Sequence, residues 1–239
     1  MSPINDIPHS QSTEPAPELP RGIRWRLTSR FTTRSRRRRM ERFLHVVQPK
    51  PTDLVLDVGV TDTAWRSSNF LESQYPWPGQ ITAVALERMP TFERTFPEVR
   101  VVVADGRSLP FEANSFDIGF SNAVIEHVGS RDEQRRFVEE LVRTCHTVFI
   151  ATPNGGFPID PHTLLPFVHW LPRRIRHVLL RWSGNGQWAS EAALNPLRAG
   201  TLKSFFPPDC DVRIDKQRVF GMTTVLVAIA TSRGAHSEA

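Results

Sequence analysis

The 239-residue chain is poor in cysteine: Cys145 and Cys210 are its only two, and neither falls in a CxxC or Cys/His zinc spacing. That argues against a disulfide-stapled scaffold and a zinc knuckle, and it fits a reducing, cytoplasmic setting. Long apolar runs are also missing. A bilayer-spanning helix needs roughly 18 consecutive apolar residues, whereas the best stretches are Val225 to Ala230 and the proline-interrupted Leu164 to Leu171. Met1 to Pro20 lacks the apolar segment of a secretory signal. Charge of one sign is absent locally: residues 21–39 hold nine arginines and no acid, while residues 1–20 hold three acids and no base. Residues 41–239 carry 21 basic and 22 acidic residues. The net charge of +5 therefore belongs to one arm, and the body has no basic surplus with which to grip nucleic acid.

What is present organises the chain into three parts. Residues 1–20, rich in Pro, Ser, Gln and Glu, cannot repay the entropy of ordering and are expected to be disordered. Residues 21–47 form an arginine-rich arm, with an amphipathic helix expected around Arg34 to Val47 and stopped by Pro49 and Pro51. Its Trp25, Leu27 and Phe31, set between arginines, suit peripheral contact with an anionic membrane through residues 21–40 as well as they suit a solvated tail. Residues 48–239 are expected to be one domain, since 39% hydrophobic residues suffice for one substantial core.

Within that domain, short β-rich runs alternate with helical ones, which predicts an α/β fold with parallel strands and crossover helices. Strands are expected at Leu54–Val58, Ile81–Leu86, Val99–Ala104, Phe116–Phe120 and Thr147–Ala151. Helices are expected at Ser67–Gln74, Ala123–Val128, Asp132–Cys145 and Arg198–Phe206. Asp211–Val219 and Thr223–Thr231, joined by Phe220, Gly221 and Met222, read as a hairpin giving the sheet an antiparallel edge.

Three strand ends carry chemistry. Leu54 to Thr61 runs through Asp57 and Gly59 into a turn, the position where open α/β sheets bind cofactors, although an ordinary strand and polar turn would look similar. Glycine is again scarce, because Val60, Thr61 and Asp62 stand where a GxGxG pattern would continue. Glu87 ends the second strand, where a carboxylate can accept two ribose hydroxyls, although taken alone a solvated strand-end charge is the commoner reading. Asp105-Gly106 ends the third, an acid able to bond an adenine amino group beside a residue with no side chain to block the ring.

With Phe116-Asp-Ile-Gly-Phe-Ser-Asn-Ala-Val-Ile-Glu-His-Val128 added, residues 52 to about 155 resemble class I S-adenosylmethionine-dependent methyltransferases of the small-molecule type. The resemblance implies a Rossmann-like doubly wound sheet and S-adenosyl-L-methionine as cofactor. It assigns Asp57, Gly59 and Thr61 to the methionine end, Glu87 to the ribose, Asp105 and Gly106 to the adenine, and Asn122 to the cofactor wall. The segment from Ala151-Thr-Pro-Asn154 to His169-Trp170-Leu171-Pro172 is similar to bacterial enzymes that methylate hydroxyls of glycans and secondary products. It implies an acceptor-side insert over about 152–195, with Asn154, His162, His169 and Trp170 facing the acceptor.

For a hydroxyl acceptor, His127 is the leading general base, with Glu126 as its supporting neighbour and His162 and His169 as alternatives. Some related enzymes hold a divalent cation at this helix opening, but Ala123 replaces one expected ligand. Magnesium would need oxygens from elsewhere, such as Asp160. Two rivals are a non-catalytic scaffold on the same fold and a nucleic-acid methyltransferase. Against the latter, Thr152-Pro-Asn154 does not match the Asn/Asp-Pro-Pro-Tyr/Phe signature of base methylation.

Overall fold

The alternation of short apolar runs with helical stretches produces one seven-stranded sheet in the computed structural model, which describes residues 23–64, 68–159, 163, 165–190, 193–219 and 221–232. Side chains are described from residue 33 onward, apart from those of 169 and 173. The disordered tail expected over 1–20 lies outside the described residues, as do the side chains of Trp25, Leu27 and Phe31.

The strands are β1 (Val55–Val58), β2 (Ile81–Ala85), β3 (Arg100–Val103), β4 (Phe116–Asn122), β5 (Cys145–Pro153), β6 (Cys210–Val219) and β7 (Met222–Ser232), in the order β3-β2-β1-β4-β5-β7-β6. The first five pair in parallel, and β7 runs antiparallel between β5 and β6. The expected doubly wound, mostly parallel sheet with an antiparallel C-terminal hairpin is therefore what the chain forms, with β6 as the edge. Both faces are covered, which is why β1 and β2 are buried at every position.

The helices are α1 (Ile23–Val47), α2 (Phe70–Gln74), α3 (Pro90–Thr95), α4 (Arg131–Thr144), α5 (Arg173–Trp182) and α6 (Ala199–Lys203). A reciprocal cap starts α4: Ser130 Oγ accepts the Glu133 N–H, and Glu133 accepts the Ser130 N–H. Its Phe137, Val138 and Leu141 then fill one face of the core. The helix expected over Ala123–Val128 is only a 3₁₀ turn at Ile125–His127, because Ala123 takes a left-handed φ of 57° and breaks the path from β4.

The domain also begins earlier than residue 48. Met40 and Phe43 of α1 are fully buried in the core on the other face of the sheet. Phe43 meets Phe120 of β4 and Phe149 of β5 edge-on, with ring centroids 5.2 and 5.3 Å away. Burying such a side chain contributes about 1.5–3 kcal/mol. The second half of the arm is thus an integral helix of the fold.

Candidate active site

The strand order reverses between β1 and β4, and open α/β sheets bind ligands outside the carboxyl ends of the strands at such a point. A cavity of about 430 Å³ opens there, lined by the ends of β1, β2 and β3, the turn after β4 and the α4 helix. Gly59, Asp105, Gly106 and His127, four of the residues singled out from sequence, share its wall.

Gly59 is required by its surroundings. It has a φ of 106°, and a Cβ there would fall 2.2 Å from a methyl of Val124. The glycine-poor loop that follows is held by polar bonds instead. The Thr61 N–H and hydroxyl donate to Asn69 Oδ1 at 3.0 and 3.1 Å, and the Asn69 amide returns a bond to the Thr61 carbonyl. Asp62 accepts the N–H groups of Thr91 and Phe92 at 2.7 and 2.8 Å, capping α3. Thr61, expected at the methionine end of the cofactor, is absent from the cavity wall and spends its polar groups on Asn69.

Asp57 is likewise not on the wall. It is buried at the end of β1 beside the equally buried Glu72 of α2. Burial first, and then the Glu72 charge, raise its carboxyl well above the usual range, and burial raises Glu72 as well.

At the third strand end, a Cβ on Gly106 would lie 2.6 Å from Phe137 and 2.8 Å from Val58, so the floor tolerates only hydrogen at this point. Asp105 keeps its charge: hydrogen bonds from Arg107, at 2.6 and 3.0 Å, hold its carboxyl below the ordinary value. Arg107 also bridges to Glu133. Glu87 is exposed and follows Leu86, which lines the cavity, but it does not line the cavity itself.

Asn122 ends β4, and its side-chain oxygen accepts a hydrogen bond from Arg39 of α1. Arg39 is only 8% exposed. Burial, followed by the nearby Arg36 charge, pulls its guanidinium down to about 10, with Glu126 opposing. Sequence reasoning missed Arg39, which was indistinguishable from its neighbours in the arginine run.

Glu126 is wholly buried, and its Oε2 accepts the Thr152 hydroxyl at 2.9 Å. His127 lies partly open on the cavity wall, with Nδ1 2.7 Å from the Ala193 carbonyl and its ring centroid 5.6 Å from that of Trp188. Its Nε2 is 3.9 Å from Glu126 Oε1. Ala193 and Trp188 both belong to the long excursion between β5 and α6.

Of the expected acceptor-side residues, Asn154 and Trp170 come together on a second cavity of about 330 Å³, with Arg198 and Lys216. The Asn154 amide is committed to local structure, donating to the Thr223 carbonyl and accepting from Gly156 N–H. His162 and Asp160 lie outside the described residues; His169 belongs to a 3₁₀ turn, Val168–Trp170, with its side chain outside them. Among the described residues, no three His, Cys, Asp or Glu side chains are grouped so as to hold a metal ion.

Residues 56–147 match a family model described as a methyltransferase domain. No curated protein matches the sequence. Among solved structures, a Methanosarcina mazei S-adenosylmethionine-dependent methyltransferase shares 14% identity over 77% of this chain and 94% of its own, with a TM-score of 0.51. The geranyl diphosphate C-methyltransferase of Streptomyces coelicolor, solved with Mg2+, geranyl diphosphate and S-adenosyl-L-homocysteine, shares 12% over 89% of this chain and 85% of its own, at 0.55. The magnesium protoporphyrin IX methyltransferase of Synechocystis, solved with bound S-adenosyl-L-homocysteine, shares 12% over 90% of each chain, at 0.53.

Proposed function

We propose that this chain is an S-adenosylmethionine-dependent methyltransferase that transfers the methyl group to a hydroxyl of a small molecule, sugar or glycan, with His127 as the general base. The supporting observation is that His127 shares a cavity wall with Gly59, Asp105 and Gly106 and has its Nδ1 against a carbonyl oxygen. A carbonyl can only accept, so Nδ1 carries the proton of the neutral ring and Nε2 is left as the basic atom. Glu126, with its Oε1 3.9 Å from His127 Nε2, is the neighbour that supports the base.

S-adenosyl-L-methionine supplies a methyl group on a sulfonium, open to in-line displacement. The chain has to align the acceptor, exclude water and remove one proton. Gly59 and Gly106 let a ligand approach the backbone, Asp105 receives the adenine amino group, and Glu87 receives the ribose hydroxyls. Asp57, Thr61 and Asn122 shape the loop ends around the cofactor, and Asn154, His162, His169 and Trp170 serve the acceptor side.

The test is a panel of sugar, phenol and quinone acceptors with the full chain and labelled cofactor, followed by location of the label. A product methylated on nitrogen or carbon would overturn the reading.

The two cysteines are free and buried, in keeping with a reducing, cytoplasmic location. No helix among the described residues is long and apolar enough to cross a membrane. Peripheral contact with anionic lipid through residues 21–40 belongs to the same proposal, although Arg39 and Met40 are themselves buried in the fold.

A further inference from the structure

The excursion between β5 and α6 carries a helix whose apolar residues face the wrong way for a folded interior. In α5, Ile175, Val178 and Trp182 are 55%, 68% and 86% exposed. At about 100° per residue these three fall within roughly 60° of arc and make one continuous stripe. The opposite side is satisfied: Leu180 is buried against Val168 and Ala189, with Trp188 packed alongside. The exposed stripe is therefore surplus to what the fold needs.

Charge identifies what covers it. The ten residues of α5 include four arginines and no acid. Arg174 and Arg181 border the stripe along one side, by the same helical geometry. A protein surface that buried Trp182 and Val178 would have to desolvate these flanking guanidinium groups or match each with a carboxylate. A bilayer surface accommodates both at once: the rings and branched chains enter the acyl boundary, and the arginines stay among anionic headgroups. Trp is well suited to that depth, because its indole is apolar with one polar edge.

The position of the helix gives such docking a use. Leu171 and Pro172 alone separate α5 from Trp170, which lines the cavity shared with Asn154, Arg198 and Lys216. The buried face of α5 packs with Trp188, whose ring meets that of His127. We propose that α5 docks the enzyme on anionic membrane, with Ile175, Val178 and Trp182 as the inserted anchors, so that the acceptor side of the site opens at the lipid surface. The membrane-facing role stands whether or not His127 is the base, because it rests on α5 alone.

The experiment is sedimentation of the full chain with vesicles of phosphatidylglycerol and phosphatidylcholine, compared with phosphatidylcholine alone. Val178→Asp with Trp182→Asp changes only exposed positions, and an unaltered melting temperature confirms that it folds. The expected results are binding that requires the anionic lipid, and a fall of about tenfold or more in the partition coefficient of the double variant. A Val178→Cys protein carrying an environment-sensitive dye should shift to the blue on the anionic vesicles. Equal binding by the double variant, or no dye shift, would assign membrane contact elsewhere and overturn the proposal. Failure to bind any vesicle, with self-association relieved by the double variant, would overturn it in favour of a second copy. Cofactor titration of the same samples reads the methyltransferase site separately.

Discussion

His127 places its Nδ1 2.7 Å from the carbonyl oxygen of Ala193, so a loop 66 residues away in sequence dictates which imidazole nitrogen can take a proton. Removing the imidazole should lower turnover by about 10²- to 10⁴-fold, the usual range for a general base, with cofactor affinity nearly intact. Steady-state kinetics and calorimetric titration of His127→Ala check both halves. Wild-type turnover in a variant that binds cofactor would exclude the role.

Glu87 lies one residue beyond the cavity-lining Leu86. If it receives the ribose hydroxyls, Glu87→Ala should weaken S-adenosylmethionine binding by about 1.5–3 kcal/mol, or roughly 10- to 150-fold. Calorimetry decides, and unchanged affinity in the folded variant removes Glu87 from the site.

Gly106→Ala tests the cavity floor. The added methyl would meet Phe137 at 2.6 Å and Val58 at 2.8 Å, whereas at Gly79 it meets nothing within 4 Å. Overpacking of this kind costs about 1–3 kcal/mol, and it narrows the cavity, so Gly106→Ala should lose both stability and cofactor affinity. Gly79→Ala should lose no cofactor affinity. Denaturant melts and titrations of the two variants make the comparison.

The Asp57–Glu72 pair sets a pH dependence. Both carboxyls are raised in the fold. At low pH the folded and unfolded chains both hold these protons. As the pH climbs past the ordinary carboxylate range, about 4, the unfolded chain ionises first and gains on the fold, so stability is lost with rising pH up to the folded values. Glu72→Gln removes the like charge and can offer Asp57 an amide donor. Its melting temperature should fall less between about pH 5 and pH 8 than that of the wild type. An identical slope would show that the pair does not titrate between those limits.

The arm should divide at its middle. Deleting residues 1–33 is expected to leave a cooperative melt, since it removes neither Arg39 nor the buried Met40 and Phe43. Phe43→Ala should cost about 3–5 kcal/mol, as for a large aromatic removed from a core. Urea unfolding of the two proteins tests this, and loss of cooperativity in the truncated chain would place a further core residue before residue 34.

Sequence pattern revealed the sheet because β1 and β2 are buried on both faces, and largely apolar runs such as Ile81 to Ala85, broken only by Thr82, signal just that. It found Gly59 and Gly106 because a missing side chain at a strand end is itself a signal. It could not find Arg39, whose burial depends on how α1 crosses the sheet. Nor could it see that Thr61 answers to Asn69, eight residues on. Sequence reasoning missed α5, although Ile175, Val178, Leu179 and Trp182 follow the i, i+3, i+4, i+7 spacing of a single helix face.

The two borders of the sheet have a consequence for how copies of this chain meet. A strand at an open border leaves backbone groups that another chain can pair with. Here β3 is four residues long, too brief to template much. On the other border, β6 sets Asp211, Arg213, Asp215, Lys216 and Arg218 along ten residues, so a like strand drawn alongside would bring charges into register. The charges along β6 and the brevity of β3 thus leave neither border suited to pairing with a further strand.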